Sequence, residues 1–271
     1  MDSYSPLPPK LRSTRSTLRF ATLRTIAALV LREMSTTYGR SPGGYVWIVL
    51  EPVLGIALLS ALFSLGFRSP KLGDNFAIFY ATGLLPFFLF GDLSNKIAQS
   101  VNYSRALLSY PRVTFIDAMI ARLILSVLTQ LLVSFIVITA IRATWDTRTT
   151  LEIDRIILAY AMAIVFATGL GTMNCVLMTM YPVWQRAWSI LTRPLFLISG
   201  IIILFESIPE PYSNIVWFNP LIHVVSMSRS GYYVGYEAPW VSPIFVFGTG
   251  VVLLTFGLVF LYRYHQDMLE R

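Results

Sequence analysis

Between Arg122 and Arg142 the chain runs from Leu123 to Ile141, nineteen residues, without one charged side chain. At a rise of about 1.5 Å per residue a helix of that length covers about 28 Å, close to the ~30 Å hydrocarbon core of a bilayer. Five other runs are nearly as apolar, and with this one they place candidate spans at about 46–67, 76–92, 123–141, 156–180, 189–205 and 244–262. The second is the shortest, with Phe76 to Phe90 extended by Asp92, and local thinning of the bilayer would accommodate it. The expected fold is an all-α polytopic membrane protein with six transmembrane helices.

Composition agrees. Hydrophobic residues make up 55% of the chain and charged ones 13%, against about 25% charged in soluble domains, too few to cover a soluble surface. One Cys (Cys175) and two His (His223, His265) assemble neither a disulfide framework nor a Cys/His metal site. A net charge of +7 suits anionic lipid, an anionic substrate or a topology signal better than nucleic acid.

Orientation follows from where the basic residues fall. Segments on the N-terminal side of the membrane carry fifteen, and the opposite side carries six: Arg68, Lys71, Arg142, Arg148, Arg155 and Arg229. The positive-inside rule then puts both termini in the cytoplasm. Residues 1–45 read as a cytoplasmic tail and an amphipathic helix, with Phe20, Leu23, Ile26, Ala27, Val30, Leu31 and Met34 at helical spacing. That helix either lies in the membrane interface or packs on protein. An Arg- and Ser-rich start also matches an organellar transit peptide, whereas Arg24 interrupts any secretory signal.

Ionisable groups inside a membrane are expensive, so each invites a functional question. Glu51 lies one turn into the first span, either as a first-turn carboxylate at headgroup depth or paired with Arg40. Arg122 and Arg193 fall at the cytoplasmic ends of their spans, where snorkelling is the default. With Arg186 and the basic N-terminal helix they would make the inner mouth positive. Gln130, Asn174 and the Gly169-Leu170-Gly171 triplet read as helix packing and interhelical hydrogen bonding.

Residues 206–243 interleave short apolar pieces with Pro, Gly and aromatics, including Asn219-Pro220, and cannot cross; a re-entrant or interfacial helical segment is expected. Trp217, Phe218, Tyr232, Tyr233, Tyr236 and Trp240 suit an outer aromatic belt, or equally a surface on which sugar rings stack. A nucleotide site is excluded at sequence level, because no Lys is followed by Ser or Thr as a P-loop requires. Intramembrane carboxylates are too few for an ion-coupled carrier.

The strings REMSTTYGRSPGGYVWIVLEP from Arg32, TGLLPFFLF from Thr82, LLSYPRVTFIDAMIAR from Leu107, and RPLFLISG followed by WFNPLIHVVSMSRSGYYVGY resemble the permeases of ABC-2 type polysaccharide exporters, above all the capsular polysaccharide exporters of Gram-negative inner membranes. The resemblance implies a homodimer in the bacterial inner membrane, bound to a dimer of cytoplasmic ABC ATPase subunits that carry ATP and Mg, with further export partners in the periplasm. It implies no catalytic residue, cofactor or metal on this chain. It maps a coupling helix onto about 95–112, with Lys96, Gln99, Asn102, Tyr103 and Arg105 as docking candidates, and a second contact onto 182–188, with Gln185 and Arg186. The implied substrate is a lipid-linked polysaccharide, with Arg24, Arg32, Arg40, Glu51, Arg122, Arg193, Tyr232 and Tyr233 as candidate path or headgroup contacts.

O-antigen and teichoic-acid exporters share that architecture, and a carbohydrate-binding domain on a neighbouring ATPase would distinguish them. A membrane-embedded glycosyl- or acyltransferase would need clustered carboxylates or a His-based site, for which Asp92 and Asp117 are the nearest candidates.

Overall fold

The computed structural model describes residues 21–38, 44–108 and 114–270. Every regular element among them is helical: α1 (Ala21–Tyr38), α2 (Gly44–Gly66), α3 (Phe76–Ala98), α4 (Ser100–Leu108), α5 (Phe115–Thr144), α6 (Ile153–Met180), α7 (Pro182–Ile198), α8 (Tyr212–Val216), α9 (Pro220–Ser230) and α10 (Pro243–Glu270). Five of these, α2, α3, α5, α6 and α10, are long and apolar enough to cross a membrane. Polar residues set where two of them start. The Asn75 side chain accepts from the Ala77 N–H at 2.8 Å to cap α3, and Thr114 and Asp117 form a reciprocal capping box on α5.

Side-chain pairings give the direction of each helix. Asp92 of α3 meets Ser126 of α5, and Lys96 meets Arg122, so these two run antiparallel. Phe90 stacks on Phe166, and Gly171 sits against Ser94 and Ile97, so α3 and α6 run parallel. Gly250 packs on Val165 and Gly257 on Thr172 and Met173, so α10 runs parallel to α6 as well. The chain between Met180 and Pro243 must therefore climb back from one end of the bundle to the other. We call the end with Glu33, Lys96 and Arg122 the base, and the end with Asp74, Glu152 and Gly231 the crown.

The climb departs from the sequence expectation. Instead of a span over 189–205, α7 starts at Pro182 and stops at Ile198, and Gly200 takes a φ of +79° that only glycine adopts readily. Trp184 of α7 bonds Asn174 at the foot of α6, Phe196 packs edge-on against Phe87, and the Ile201 backbone lies against Gly83. The ascent is thus a seventeen-residue helix followed by irregular chain. From Phe205 to Val241 only a 3-10 turn, α8 and α9 are regular, and α9, at eleven residues, is about 16 Å long, too short to cross. The second span is longer than expected, reaching Ala98.

Burial is concentrated on α3, which contributes to both apolar clusters, one towards the base around Leu93 and Phe166 and one towards the crown around Phe79 and Val137. By contrast α2 leaves Leu54, Leu58, Leu62 and Leu65 exposed along one stripe, as a face against lipid or a second protein would. On α1, Ile26, Leu29, Val30 and Glu33 turn towards the protein while Leu23, Leu31 and Met34 are exposed.

Candidate functional site

At the base, α1 to α5 surround a cleft of about 650 Å³. Residues of two expected groups meet there: Glu51 and Arg122 share its walls with Lys96, Gln99 and Tyr103, alongside Gln130, which was expected only to pack helices, and Trp47, Phe88 and Asn95. The α3–α4 corner is the reason. Gln99 alone separates the two helices, so the end of α3 and the first turn of α4 face the same space.

Arg122 does not snorkel. Its side chain is 5% exposed, pairs through Nη2 with Glu33 Oε1 at 3.0 Å, and donates from Nη1 to the Lys96 carbonyl oxygen at 3.0 Å. The guanidinium also lies over the Tyr103 ring, 4.4 Å from its centroid. The α5 backbone puts it there: one turn above the Asp117 cap, on the side facing α3. Lys96 in turn pairs with Asp92 at 2.9 Å, and Asp92 accepts from the Ser126 hydroxyl. Of the positive charge expected at the inner mouth, the part that lines this cleft is therefore paired, Arg122 with Glu33 and Lys96 with Asp92. Asp92 and Asp117 have structural duties in the ion pair and the helix cap, which leaves neither as an uncommitted acid or base.

The remaining candidates lie elsewhere. Arg24 and Arg32 are exposed on α1, Asn102 on α4, and Gln185, Arg186 and Arg193 on α7. Arg40 and the Arg105 side chain lie outside the described residues. Tyr232 and Tyr233 are buried at the crown, 5% and 7% exposed, and Tyr236 is buried with them. Tyr233 and Tyr236 offer no open ring to a sugar or to lipid, Tyr232 borders an apolar cavity of about 630 Å³ between α5 and α6, and Phe218 is exposed.

What the crown aromatics surround was not singled out from sequence. Arg229 of α9 is wholly buried, donates to the Gly200 and Ile201 carbonyl oxygens at 2.6 and 2.7 Å, and stacks over Phe79 at 4.2 Å. It thereby satisfies carbonyls of the irregular chain that follows α7. Burial pulls its pKa down to about 10, so it remains charged at neutral pH. Glu206 receives the Tyr236 hydroxyl at 3.1 Å and the Trp240 N–H at 2.9 Å. His223 bridges the same unit: Nε2 donates to the Trp217 carbonyl oxygen at 2.8 Å, and Nδ1 accepts from the Ser242 N–H at 3.2 Å. That pairing assigns the neutral Nε2–H tautomer.

Glu33 is the other residue that went unread, although a signal existed. It occupies a protein-facing position of α1 in register with Ile26, Leu29 and Val30, and an acid on an apolar stripe requires a buried partner.

Comparison with known proteins adds the family. The chain is 31% identical over 246 residues to the polysialic acid transport protein KpsM of Escherichia coli, covering 90% of this chain and 94% of that protein. It is 26% identical over 250 residues to the capsule polysaccharide export inner-membrane protein CtrC of Neisseria meningitidis serogroup A, and 27% identical over 252 residues to BexB of Haemophilus influenzae, a protein of the same description. Each of these alignments covers 90% of this chain and 92% of the relative. The model of the ABC-2 type transporter family matches residues 24–233, and with the helical bundle described above this chain belongs to that family.

Proposed function

We propose that this protein is the membrane permease of an ATP-driven exporter that carries lipid-linked capsular polysaccharide across a bacterial inner membrane. The observation that carries the reading is the base cleft, in which the α3–α4 corner and the mouth of the α1–α2 region form one cavity. Substrate that enters beside α1 would meet the same residues that a docked ATPase moves. The relatives' names supply the cargo class: polysialic acid for one, capsule polysaccharide for the others.

In this reading the chain crosses six times, with α7 and the irregular chain after it as the fifth crossing and residues 206–243 as a re-entrant crown. Both termini face the cytoplasm, which agrees with the excess of basic residues at the base end. Two copies pair, and a dimer of cytoplasmic ATPase subunits docks on α4 and on the exposed start of α7 around Gln185 and Arg186. ATP-driven closure displaces α4, the two permeases shift, and the glycan advances between them towards periplasmic partners. The amphipathic α1, with Arg24 and Arg32 exposed, receives the anionic headgroup from the inner leaflet together with Arg40.

Reconstitution tests the proposal directly. Vesicles that contain this chain with its ATPase transfer lipid-linked glycan across the bilayer only when ATP is present. ATP hydrolysis by the isolated chain, or hydrolysis by the complex without any glycan transfer, would sink it.

A further inference from the structure

Arg122 leaves α5 and meets three other helices. It holds Glu33 of α1 through an ion pair, the Lys96 carbonyl in the last turn of α3 through a hydrogen bond, and the Tyr103 ring of α4 through its face. A guanidinium is planar, and its donors are fixed relative to one another, so these three contacts are locked in one mutual geometry. Two of them straddle the α3–α4 corner, Lys96 just before it and Tyr103 just after. The third is on α1, whose outward face exposes Leu23, Leu31 and Met34.

We infer that Arg122 is a positioning residue that transmits displacement of α4 to α1, linking the ATPase contact to the helix that receives substrate. Movement of α4 acts on the guanidinium directly through the Tyr103 ring, and through the Lys96 carbonyl at the end of α3 where it bends the corner at Gln99. Because the side chain is buried, it cannot swing into water when its partners shift, and releasing Glu33 would strand a charge. The least costly response is for α1 to follow. This is a physical route through packed and charge-paired groups, with an input end, Tyr103, and an output end, Glu33. The inference rests on the reading of α4 as the ATPase contact.

The experiment uses the full chain in complex with its ATPase in lipid nanodiscs. An environment-sensitive fluorophore is placed on a cysteine replacing Leu31 on α1, or separately replacing Asn102 on α4, both exposed positions; the native Cys175 is buried. A non-hydrolysable ATP analogue should change both signals in the otherwise native complex. Tyr103→Leu removes the ring face at a half-exposed site. Because Tyr103 is itself a docking candidate, the readout is the ratio of the α1 to the α4 response within the same variant, which should fall at least about fivefold. Tyr103→Phe keeps the ring and should retain both responses. The double replacement Glu33→Leu with Arg122→Met removes both charges of the joint together and should reproduce the Tyr103→Leu pattern. An α1 response that persists at full size in Tyr103→Leu and in the double variant overturns the inference. A silent α4 probe in the otherwise native complex overturns the assignment of α4 itself, and the joint with it.

Discussion

At Arg122 the cost of burying a guanidinium is offset by Glu33, the Lys96 carbonyl and the face of the Tyr103 ring. Removing one end alone should be far worse than removing both. Glu33→Ala is expected to lower stability by about 3–5 kcal/mol, the range for a buried charge left without its partner, whereas Glu33→Leu with Arg122→Met should lose much less. Thermal melts of detergent-solubilised protein followed by size-exclusion chromatography would show the ordering; equal losses would mean that the pair contributes nothing. His223 gives a pH test. Burial holds its pKa below the ordinary value of about 6.5, and both ring nitrogens are used in the neutral form. The unfolded state therefore binds the proton more readily. The stabilisation is complete above the unfolded value and is lost as the pH falls through the depressed folded value. Melting temperature should drop on acidification from pH 8 to pH 5 more steeply for the native chain than for His223→Gln, and parallel profiles would refute the role. At this scale the sequence marked Arg122 as an expensive group but not its partner, and it marked neither Glu33 nor Arg229. Glu33 and Arg122 are far apart in the chain, and the position of Arg122 near a span's end suggested water when the fold supplied a carboxylate.

Close contact between helices is set by single atoms. A Cβ at Gly169 would lie 2.1 Å from the Gly250 carbonyl oxygen, and one at Gly257 would lie 2.9 Å from the Met173 nitrogen, so α6 and α10 touch backbone to backbone. Gly169→Val should force them apart at a cost of at least about 1–3 kcal/mol and reduce the folded yield, while Gly248→Ala, with open space around it, should be silent. Comparable yields for the two variants would contradict the packing. The Gly169-Leu170-Gly171 triplet advertised this approach in advance, because only small residues allow it. The fifth run misled for a related reason. Its apolar stretch continues through Ser199 and Gly200, but hydropathy is blind to φ, and the helix ends where Gly200 turns left-handed. Pro182, a favoured first residue of a helix, marked the true start. For α1, the exposed Arg24 and Arg32 define a different test. Neutralising both together with Arg40 should lower glycan export while ATPase co-purification is preserved, and undiminished export would remove α1 as the headgroup contact.

Over the whole molecule, the decisive question is how many times the chain crosses. Among the described residues five helices satisfy length and hydropathy, and five crossings alone would leave the ends on opposite faces. Yet α10 runs parallel to α6, so the chain over 181–242 returns from the base to the crown, and the proposed six-crossing topology takes that return, part helix and part irregular chain, as the missing passage. The charge count carries the same message from sequence, since it is consistent only if the segment after Met180 returns to the sparsely charged side. Accessibility to a membrane-impermeant maleimide can decide between the two. Single cysteines replacing Asp74, Arg148 and Glu237, all exposed at crown-side loops, should label in cells whose outer membrane alone is permeabilised. Cysteines replacing Thr114 and Val183, exposed towards the base, should label only after the inner membrane is broken. The buried Cys175 contributes no background. Glu237 is the informative position, because it follows the disputed passage while Val183 precedes it: if the two label together, the ascent through α7 does not cross the bilayer, and with it fall the common face of the termini and the placement of the crown in the periplasmic half.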